Sequence, residues 1–249
     1  MGAKKLILYL TAGYPDGSRF ARAASVAADE GVDILEIGLP FSDPVADGPV
    51  IQAASAVAIR SGVTFERTLA MSARLPQSLP RVLMTYANPI FVRGWSRAFS
   101  LARSAGFSGA ILPDIPVEEL ASIEPFRPPG FYLVPFVAPT TSPDRLSRIC
   151  RTARDGAFIY LVSLRGITGA RIGDTVAEEV TAVTRRIRRL THAPVYVGFG
   201  IRTAADAEKF GRCADGVIVG SSALAALGRG LAPFARLIRQ MRRKLDRLD

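Results

Sequence analysis

The 249-residue chain has few of the side chains from which metal sites, disulfide scaffolds and catalytic triads are built. It contains two cysteines, Cys150 and Cys213, and one histidine, His192. Such scarce cysteines argue against a disulfide framework or a zinc cluster. A histidine metal site or a Ser-His-Asp triad would have to rest on a single ring. We therefore predict a protein without a bound metal.

Long hydrophobic runs are missing as well. The run at residues 6–10 is too short for a signal peptide, and no uncharged stretch reaches the ~20 residues that span a bilayer. We therefore expect a cytoplasmic protein without a membrane segment. The apolar content of 49% is enough for one large core. Nothing marks a linker, so we predict one domain over residues 1–249.

A net charge of +10 raises the question of nucleic-acid binding. The basic residues are mostly arginines in helical segments, such as those at 185–189 and 236–244. In the second segment apolar residues recur every three or four positions, which places the arginines on the opposite, solvated face. A nucleic-acid surface would interleave aromatic and basic residues. We expect no nucleic-acid partner, although a basic surface attracts phosphorylated substrates at long range.

Short β-branched or aromatic runs alternate with helix-period segments along the whole chain. This alternation predicts parallel strands joined by right-handed helical crossovers. The predicted strands are centred near Ile7, Leu35, Leu83, Ile111, Val134, Ile159, Tyr196 and Ile218. Eight such units predict an α/β fold of the (β/α)8 TIM barrel type, and an open doubly wound sheet is the alternative.

Local signals mark the ends of several helices. A helix from about residue 18 to residue 30 should end at Gly31, which is placed as the residue after the C-cap. Thr64 can cap a second helix, and Pro143 opens a third. Thr203 and Asp206 have approximately the spacing of a capping box at the start of a fourth.

A glutamate lies inside the second predicted strand. Strand alternation places Ile34, Glu36 and Gly38 on one face, where a barrel interior is normally apolar. A buried carboxyl must be hydrogen-bonded, protonated or functional. One interpretation is a structural Glu36 paired with an arginine. The other is a carboxyl whose pKa burial raises toward neutrality, suited to taking and giving a proton.

Eleven positions later, Asp47 lies in a stiff loop with two aspartates and three prolines, residues 40–49. Taken alone, Asp47 is best interpreted as a helix N-cap, because Pro49 follows near a plausible helix start. The loop as a whole is far more specific than either carboxylate. Residues 39–47 and 163–173 are the long loops after strands, where function concentrates in barrels.

Three glycine clusters follow the last three predicted strands. They are the glycines around Gly169, those around Gly200, and Gly220 with Ser221 before a short helix. Unobstructed backbone N–H groups and a helix N-terminus form an anion site. Each cluster alone could be a turn, but their coincidence predicts a phosphate site at the place where barrels often bind phosphate.

Aromatic and large apolar residues lie near the same strand ends. They are Tyr9, Met84, Tyr86, Ile111, Phe136, Tyr160 and Phe199. Any one of them could be ordinary barrel core, whereas together they suit a flat aromatic group beside the phosphate. The phenol of Tyr160 could also hydrogen-bond Glu36.

These residues together resemble the tryptophan synthase α subunit family over nearly the whole chain. The segment 35–49, with sequence LEIGLPFSDPVADGP, is highly specific for that family. Supporting matches are LYLTAGYP at 8–15, YANP at 86–89, PDIP at 113–116, GITGA at 166–170 and GFGI at 198–201.

The resemblance implies cleavage of indole-3-glycerol phosphate to indole and glyceraldehyde 3-phosphate, a lyase step of tryptophan biosynthesis. It implies a role for Glu36 as the proton-transferring carboxylate, for Asp47 as the partner of the indole N–H, and for Tyr160 as an active-site tyrosine. The implied phosphate contacts are Gly169, Gly200, Gly220 and Ser221. The resemblance also implies that Thr168 and Gly169 lie in the family's mobile lid, with Thr168 among the residues of the indole pocket.

The resemblance also implies a partner, the β subunit of an αββα complex, with Asp43 in the loop that communicates with it. It implies no cofactor in this chain, since pyridoxal phosphate belongs to the β subunit. Two departures concern other parts of the family pattern. Leu164 replaces a lid residue that is often basic, and the similarity starts at the first strand without the N-terminal helix of many members. We therefore expect the barrel floor to be closed by other means.

Overall fold

The structure, a computed structural model, describes residues 2–154, 156–162, 174–198 and 200–248. The strands in chain order are β1 (Lys5–Thr11), β2 (Ile34–Gly38), β3 (Arg81–Met84), β4 (Gly109–Ile111), β5 (Tyr132–Val134), β6 (Phe136–Val137), β7 (Ile159–Val162), β8 (Val195–Gly198) and β9 (Gly216–Val219). The helices in chain order are α1 (Gly17–Asp29), α2 (Pro49–Arg60), α3 (Phe65–Ser72), α4 (Ala87–Phe91), α5 (Trp95–Ser104), α6 (Val117–Ile123), α7 (Pro143–Thr152), α8 (Asp174–Arg188), α9 (Ala204–Cys213), α10 (Ser221–Arg229) and α11 (Leu231–Leu245). Short 3-10 helices occupy Glu124–Phe126 and Asp246–Leu248.

The described strands form one parallel sheet in the order β5-β4-β3-β2-β1-β9-β8-β7-β6. The two outer members, β5 and β6, are consecutive in the chain and separated by Pro135 alone. They are therefore two parts of one strand, interrupted because proline has no backbone N–H to donate. Joining them closes the sheet, which confirms the predicted (β/α)8 barrel and rules out the open doubly wound sheet.

Each of the eight predicted strand centres lies in an observed strand. The predicted helix ends are confirmed too. Gly31 follows α1 with a φ of +82°, and its N–H donates to Ala28 O at 3.1 Å. The Thr203 hydroxyl accepts from Asp206 N at 3.2 Å while the Asp206 carboxylate accepts from Thr203 N at 2.8 Å, a complete capping box.

Two further helix starts also agree with the sequence. The side chain of Thr64 caps α3 by accepting from Arg67 N at 3.2 Å. Pro143 is the first residue of α7. Its fixed φ and missing N–H suit the first turn of a helix.

The strand register places inward-facing residues of neighbouring strands at the same height in the barrel. Tyr9 of β1 lies opposite Glu36 of β2, and Glu36 lies opposite Val82 of β3. Because alternate residues of a strand face opposite sides, this layer points inward and its neighbours pack against the helices. Buried apolar side chains fill both regions.

Four of the inward-facing tyrosines lie across glycines of adjacent strands. The pairs are Tyr9 with Gly38, Tyr132 with Gly109, Tyr160 with Gly198, and Tyr196 with Gly216. A Cβ atom at any of these glycines would come within 3.0 Å of the tyrosine ring or hydroxyl. The glycines therefore make the space in which the tyrosine rings lie.

Helix α11 confirms the apolar stripe and corrects one detail. Phe234, Ile238, Met241 and Leu245 are fully buried. Arg242 was expected on the solvated face, but its side chain is largely buried and pairs with Asp33, 209 residues away in sequence. The Arg242 side chain extends past the edge of the apolar face of α11, because an arginine can lay its methylene groups along apolar surface while its guanidinium reaches a polar partner. Among the described helices, none is long and apolar enough to cross a membrane.

Candidate active site

The carboxyl group of Glu36 lies inside the barrel. The residue is 3% exposed, and among the described residues its Oε2 atom has no hydrogen-bond partner. Burial, and after it the charge of Asp47, raises the pKa of Glu36 to about 8. No salt bridge to an arginine or lysine engages Glu36 within the described ranges, which leaves the structural ion-pair interpretation without support. At neutral pH the free site therefore holds a protonated carboxylic acid.

Asp47 lies in the loop between β2 and α2. The N-cap of α2 is Gly48, so the helix-cap interpretation of Asp47 was wrong. The carboxylate instead hydrogen-bonds the phenol of Tyr86, whose oxygen also accepts from Ala46 N at 3.1 Å. Burial raises the pKa of Asp47 to about 6, and the Tyr86 hydrogen bond opposes this rise. Asp47 is therefore ionised at neutral pH, next to a protonated Glu36.

Two buried tyrosines, Tyr9 and Tyr160, lie near Glu36 and Asp47. We call the space around these four side chains the chamber. Burial raises the pKa of Tyr160, and the charges of Glu36 and Asp47 add to the rise. Burial likewise raises the pKa of Tyr9, followed by the effect of Asp47. Both phenols therefore lie within electrostatic range of the two carboxyl groups and stay protonated. The hydrogen bond between Tyr160 and Glu36 remains a prediction.

The predicted aromatic pocket lies around the carboxyl ends of the strands. Met84 ends β3, Ile111 ends β4, and both are buried. The ring of Phe136 lies 4.9 Å from that of Tyr160, and Tyr86 stacks obliquely on Phe41 at 5.2 Å. Two other predicted members of the pocket, Thr168 and Phe199, lie outside the described residues.

The predicted phosphate site is built from two adjoining loops. Gly220 is the N-cap of α10, and Ser221 is its first, exposed residue. Gly200 has a φ of +81° in the loop after β8. A hydrogen bond of 3.0 Å from Ser222 Oγ to Ile201 O ties the two loops together. The fourth predicted contact, Gly169, lies outside the described residues.

Two neighbours of the chamber were not identified from the sequence. Ile51 of α2 lies next to Gly220, since a Cβ there would be 3.8 Å from it. The hydroxyl of Thr11 is 3.4 Å from that of Tyr9. Sequence carried no signal for Ile51, because the inward face of α2 depends on the path of the preceding loop. Thr11, two residues after Tyr9 on one strand face, could have been found by alternation.

The loop and helix next to the chamber also present apolar surface to solvent. Val45, Phe91 and Val92 are 82%, 66% and 66% exposed. Asp43 is exposed in the same loop as Val45. Among the described residues no group of three or more histidine, cysteine or acidic side chains could hold a metal ion.

Comparison with known proteins supplies the family. The family model "Tryptophan synthase alpha chain" matches residues 1–247. The chain is 39% identical to the tryptophan synthase alpha chain of Dehalococcoides mccartyi, over 98% of this chain and 96% of that one. It is 41% identical to that of Synechococcus elongatus, over 99% and 93%. It superimposes on a tryptophan synthase chain from Mycobacterium tuberculosis with a TM-score of 0.87 and 34% identity, over 98% and 93%. The chain belongs to the tryptophan synthase alpha chain family.

Proposed function

We propose that this chain cleaves indole-3-glycerol phosphate, with Glu36 as the proton-transferring group and Asp47 as the partner of the indole N–H. Its family provides the alpha subunit of tryptophan biosynthesis, the enzyme subunit that catalyses this half-reaction. The observation that supports the assignment of roles is the buried Glu36, whose Oε2 atom has no partner in the part of the chain that the structure describes and lies near a second carboxyl, that of Asp47. A group in this state has a free oxygen for a substrate.

The reverse aldol reaction needs one proton added and one removed. Protonated Glu36 donates to C3 of the indole, which leaves a positive charge on the ring nitrogen. Ionised Asp47 accepts a hydrogen bond from this N–H and stabilises the charge. Glu36, now ionised, takes the proton of the side-chain hydroxyl. The carbonyl forms, the carbon–carbon bond breaks, and its electron pair neutralises the ring as indole departs.

The remaining groups hold the substrate. Gly220 and Ser221 lie at the N-terminus of α10, whose dipole favours an anion, and Gly200 lies in the adjoining loop. We assign the phosphate to this place, with Gly169 as a further contact. The indole lies among Tyr9, Met84, Tyr86, Ile111, Phe136, Thr168 and Phe199, with Tyr160 beside Glu36. The chemistry requires no metal or cofactor, since the protonated indole leaves as a neutral molecule.

The finer assignments of partner and location follow from the family. The exposed apolar residues Val45, in the loop after β2, and Phe91 and Val92, at the end of α4, suit a protein partner, because large exposed apolar side chains often mark interaction surfaces. We assign this surface to a tryptophan synthase β subunit in an αββα complex, with pyridoxal phosphate in the β subunit only. A biosynthetic role supports a cytoplasmic location. We also propose that the chain forms one folded domain and has no nucleic-acid or membrane partner.

Indole release by the purified chain tests the proposal, with and without a tryptophan synthase β subunit. Glu36→Gln and Asp47→Asn should each lower kcat at least ~100-fold, as expected for lost acid–base or charge-stabilising groups. Glu178→Gln, an exposed change on α8, is the matched control and should release indole at the wild-type rate. Circular dichroism checks that each variant is folded.

Two outcomes would contradict the proposal. Wild-type rates in Glu36→Gln would remove the proton-transfer role. Absence of indole release under both conditions, together with activation of the β subunit, would show a regulatory subunit instead of a lyase.

A further inference from the structure

Two segments meet at the place assigned to the phosphate, and a side-chain hydrogen bond joins them. Ser222 Oγ donates to Ile201 O at 3.0 Å, although the two residues are 21 positions apart in the chain. Ile201 directly follows Gly200, and Ser222 is the second residue of α10, after Ser221. The bond therefore connects the loop after β8 with the N-terminus of the helix after β9.

Helix α10 is firmly anchored at this junction. Its residues Ala223, Leu224 and Leu227 are fully buried. The residue before the helix, Gly220, lies against the chamber, because a Cβ atom added there would be 3.6 Å from the Cβ of Tyr9. The start of α10 therefore has a fixed position next to the space assigned to the indole ring.

The first N–H groups of α10 are available to an anion. The N-cap residue is Gly220, so no side chain caps the helix, and the first helical hydrogen bond runs from Leu224 N to Gly220 O at 3.1 Å. Within the described chain the N–H groups of residues 221–223 have no acceptor. The hydroxyl of Ser222 bonds to Ile201 O instead of to one of these groups. Free N–H groups at a helix N-terminus favour a bound anion.

The loop after β8 is held at two points. At its far end, the carboxylate of Asp206 accepts from Arg202 N at 3.0 Å. Nearer to β8, the side chain of Ile201 is buried, and its carbonyl accepts from Ser222. Gly200, with a φ of +81°, comes immediately before this second point. The Ser222 hydroxyl therefore fixes the Gly200 end of the loop relative to α10.

We propose that Ser222 is a positioning residue for the substrate phosphate: its hydroxyl holds the loop of Gly200 against the N-terminus of α10, so that both segments contact one anion. This inference rests on the proposed function, which assigns the phosphate to this place. Ser222 donates its hydroxyl proton to Ile201 O, so the side chain acts through the loop and not through the ligand. Without the hydroxyl the two segments separate more easily, which weakens phosphate binding and leaves Glu36 and Asp47 unchanged.

Ser222→Ala tests this role with two measurements on the whole chain. The first is a titration with inorganic phosphate, followed by the backbone amide signals of Gly220 and Ser221 in nuclear magnetic resonance spectra. Its Kd should be about fivefold higher than in the wild type, which corresponds to one neutral hydrogen bond of ~1 kcal/mol. The second is steady-state cleavage of indole-3-glycerol phosphate. KM should rise by a similar factor at unchanged kcat, because the bond contributes to binding and not to proton transfer.

Two further variants separate the hydroxyl from other effects of the substitution. Ser222→Thr keeps a hydroxyl group and should bind phosphate about as tightly as the wild type. Ser147→Ala is the matched control, since the Ser147 hydroxyl donates to Pro143 O at 3.1 Å within its own helix, α7. It should leave the Kd for phosphate, KM and kcat unchanged. Circular dichroism checks that each variant is folded.

Wild-type phosphate affinity in Ser222→Ala would overturn the proposal, as would a fall in kcat at unchanged KM. Equal weakening in Ser222→Ala and Ser222→Thr would show that the hydroxyl is not the cause and would overturn it too. The same holds if phosphate leaves the Gly220 and Ser221 signals of the wild type unchanged. Because the titration involves no turnover, it separates this proposal from the catalytic one. Phosphate binding that depends on Ser222 in a chain that releases no indole would refute only the proposed cleavage.

Discussion

Two carboxyl groups in one chamber have different protonation states because their surroundings differ. Glu36 points into the barrel from a strand, and burial together with the charge of Asp47 raises its pKa to about 8. Asp47 lies on a loop and has a hydrogen bond from Tyr86, so its pKa rises only to about 6. Between these values one group is an acid and the other an anion. Pairs separated in this way commonly divide acid and base roles in enzymes.

The pH dependence of kcat/KM for indole-3-glycerol phosphate should therefore be bell-shaped. Below about 6 Asp47 takes up a proton and no longer stabilises the ring cation, and above about 8 Glu36 lacks the proton that it donates. The two limbs report the coupled pair. Tyr86→Phe removes a hydrogen bond that lowers the pKa of Asp47, so the acidic limb should move to higher pH. Stopped assays across pH 5–9 measure both, and an acidic limb that stays in place would contradict the role of Tyr86.

At the scale of elements, the chamber depends on glycines that leave room for aromatic rings. The Tyr9 ring occupies the space above Gly38, where a Cβ atom would lie 2.1 Å from the phenolic oxygen. A larger residue at position 38 therefore requires a smaller one at position 9, because the Tyr9 ring uses the volume that Gly38 leaves empty. The same arrangement holds Tyr160 against Gly198. The strands thus place the tyrosines around the carboxyls by pairing large with small residues across neighbouring strands.

Gly38→Ala should lower the free energy of unfolding by about 1–3 kcal/mol, the usual cost of overpacking a core, and reduce kcat/KM because Tyr9 is displaced. Adding Tyr9→Leu should restore much of the stability, which gives a non-additive double-mutant cycle. Urea denaturation measures both effects. Gly17→Ala, at the start of α1, where an added Cβ would make only an ordinary contact with the sulfur of Met71 at 3.6 Å, is the control and should keep wild-type stability or gain slightly. Additive effects of Gly38→Ala and Tyr9→Leu would contradict the proposed clash.

At the scale of the whole molecule, the two ends of the described chain meet beneath the barrel. The carboxylate of Asp33 accepts from Leu6 N at 2.8 Å and from Arg242 at 3.0 Å. Arg242 also donates to Lys4 O at 2.8 Å, and Lys4 Nζ donates to Ala214 O at 2.9 Å. This network joins the first strand, the approach to the second and the last helix.

Removing this connection should destabilise the protein globally. Arg242→Ala leaves the largely buried Asp33 carboxylate short of one partner, so we expect a loss of about 2 kcal/mol of unfolding free energy. Arg236→Ala on the same helix is exposed and should change it by less than ~0.5 kcal/mol. Urea unfolding with a constant m-value measures both. Equal stabilities of the two variants would contradict the network.

Features set by near neighbours in the chain were predictable from the amino-acid order alone. The strand centres, the glycine after α1 and the capping box at Thr203 depend on backbone dihedrals and hydrogen bonds that span a few residues. Alternation along β2 was enough to predict an inward-facing Glu36. The loop sequence between Glu36 and Asp47 was specific enough to indicate the family.

Contacts between distant residues were decided only when the barrel closed. Asp47 resembles a helix cap in sequence, and only the folded structure brings Tyr86, in the loop after β3, to its carboxyl as a different partner. The sequence pattern of α11 places Arg242 on the solvated face, whereas in the folded protein its guanidinium contacts Asp33. Local chemistry determines the elements, but closure of the sheet determines which side chains share a space, and shared space sets pKa values and binding sites.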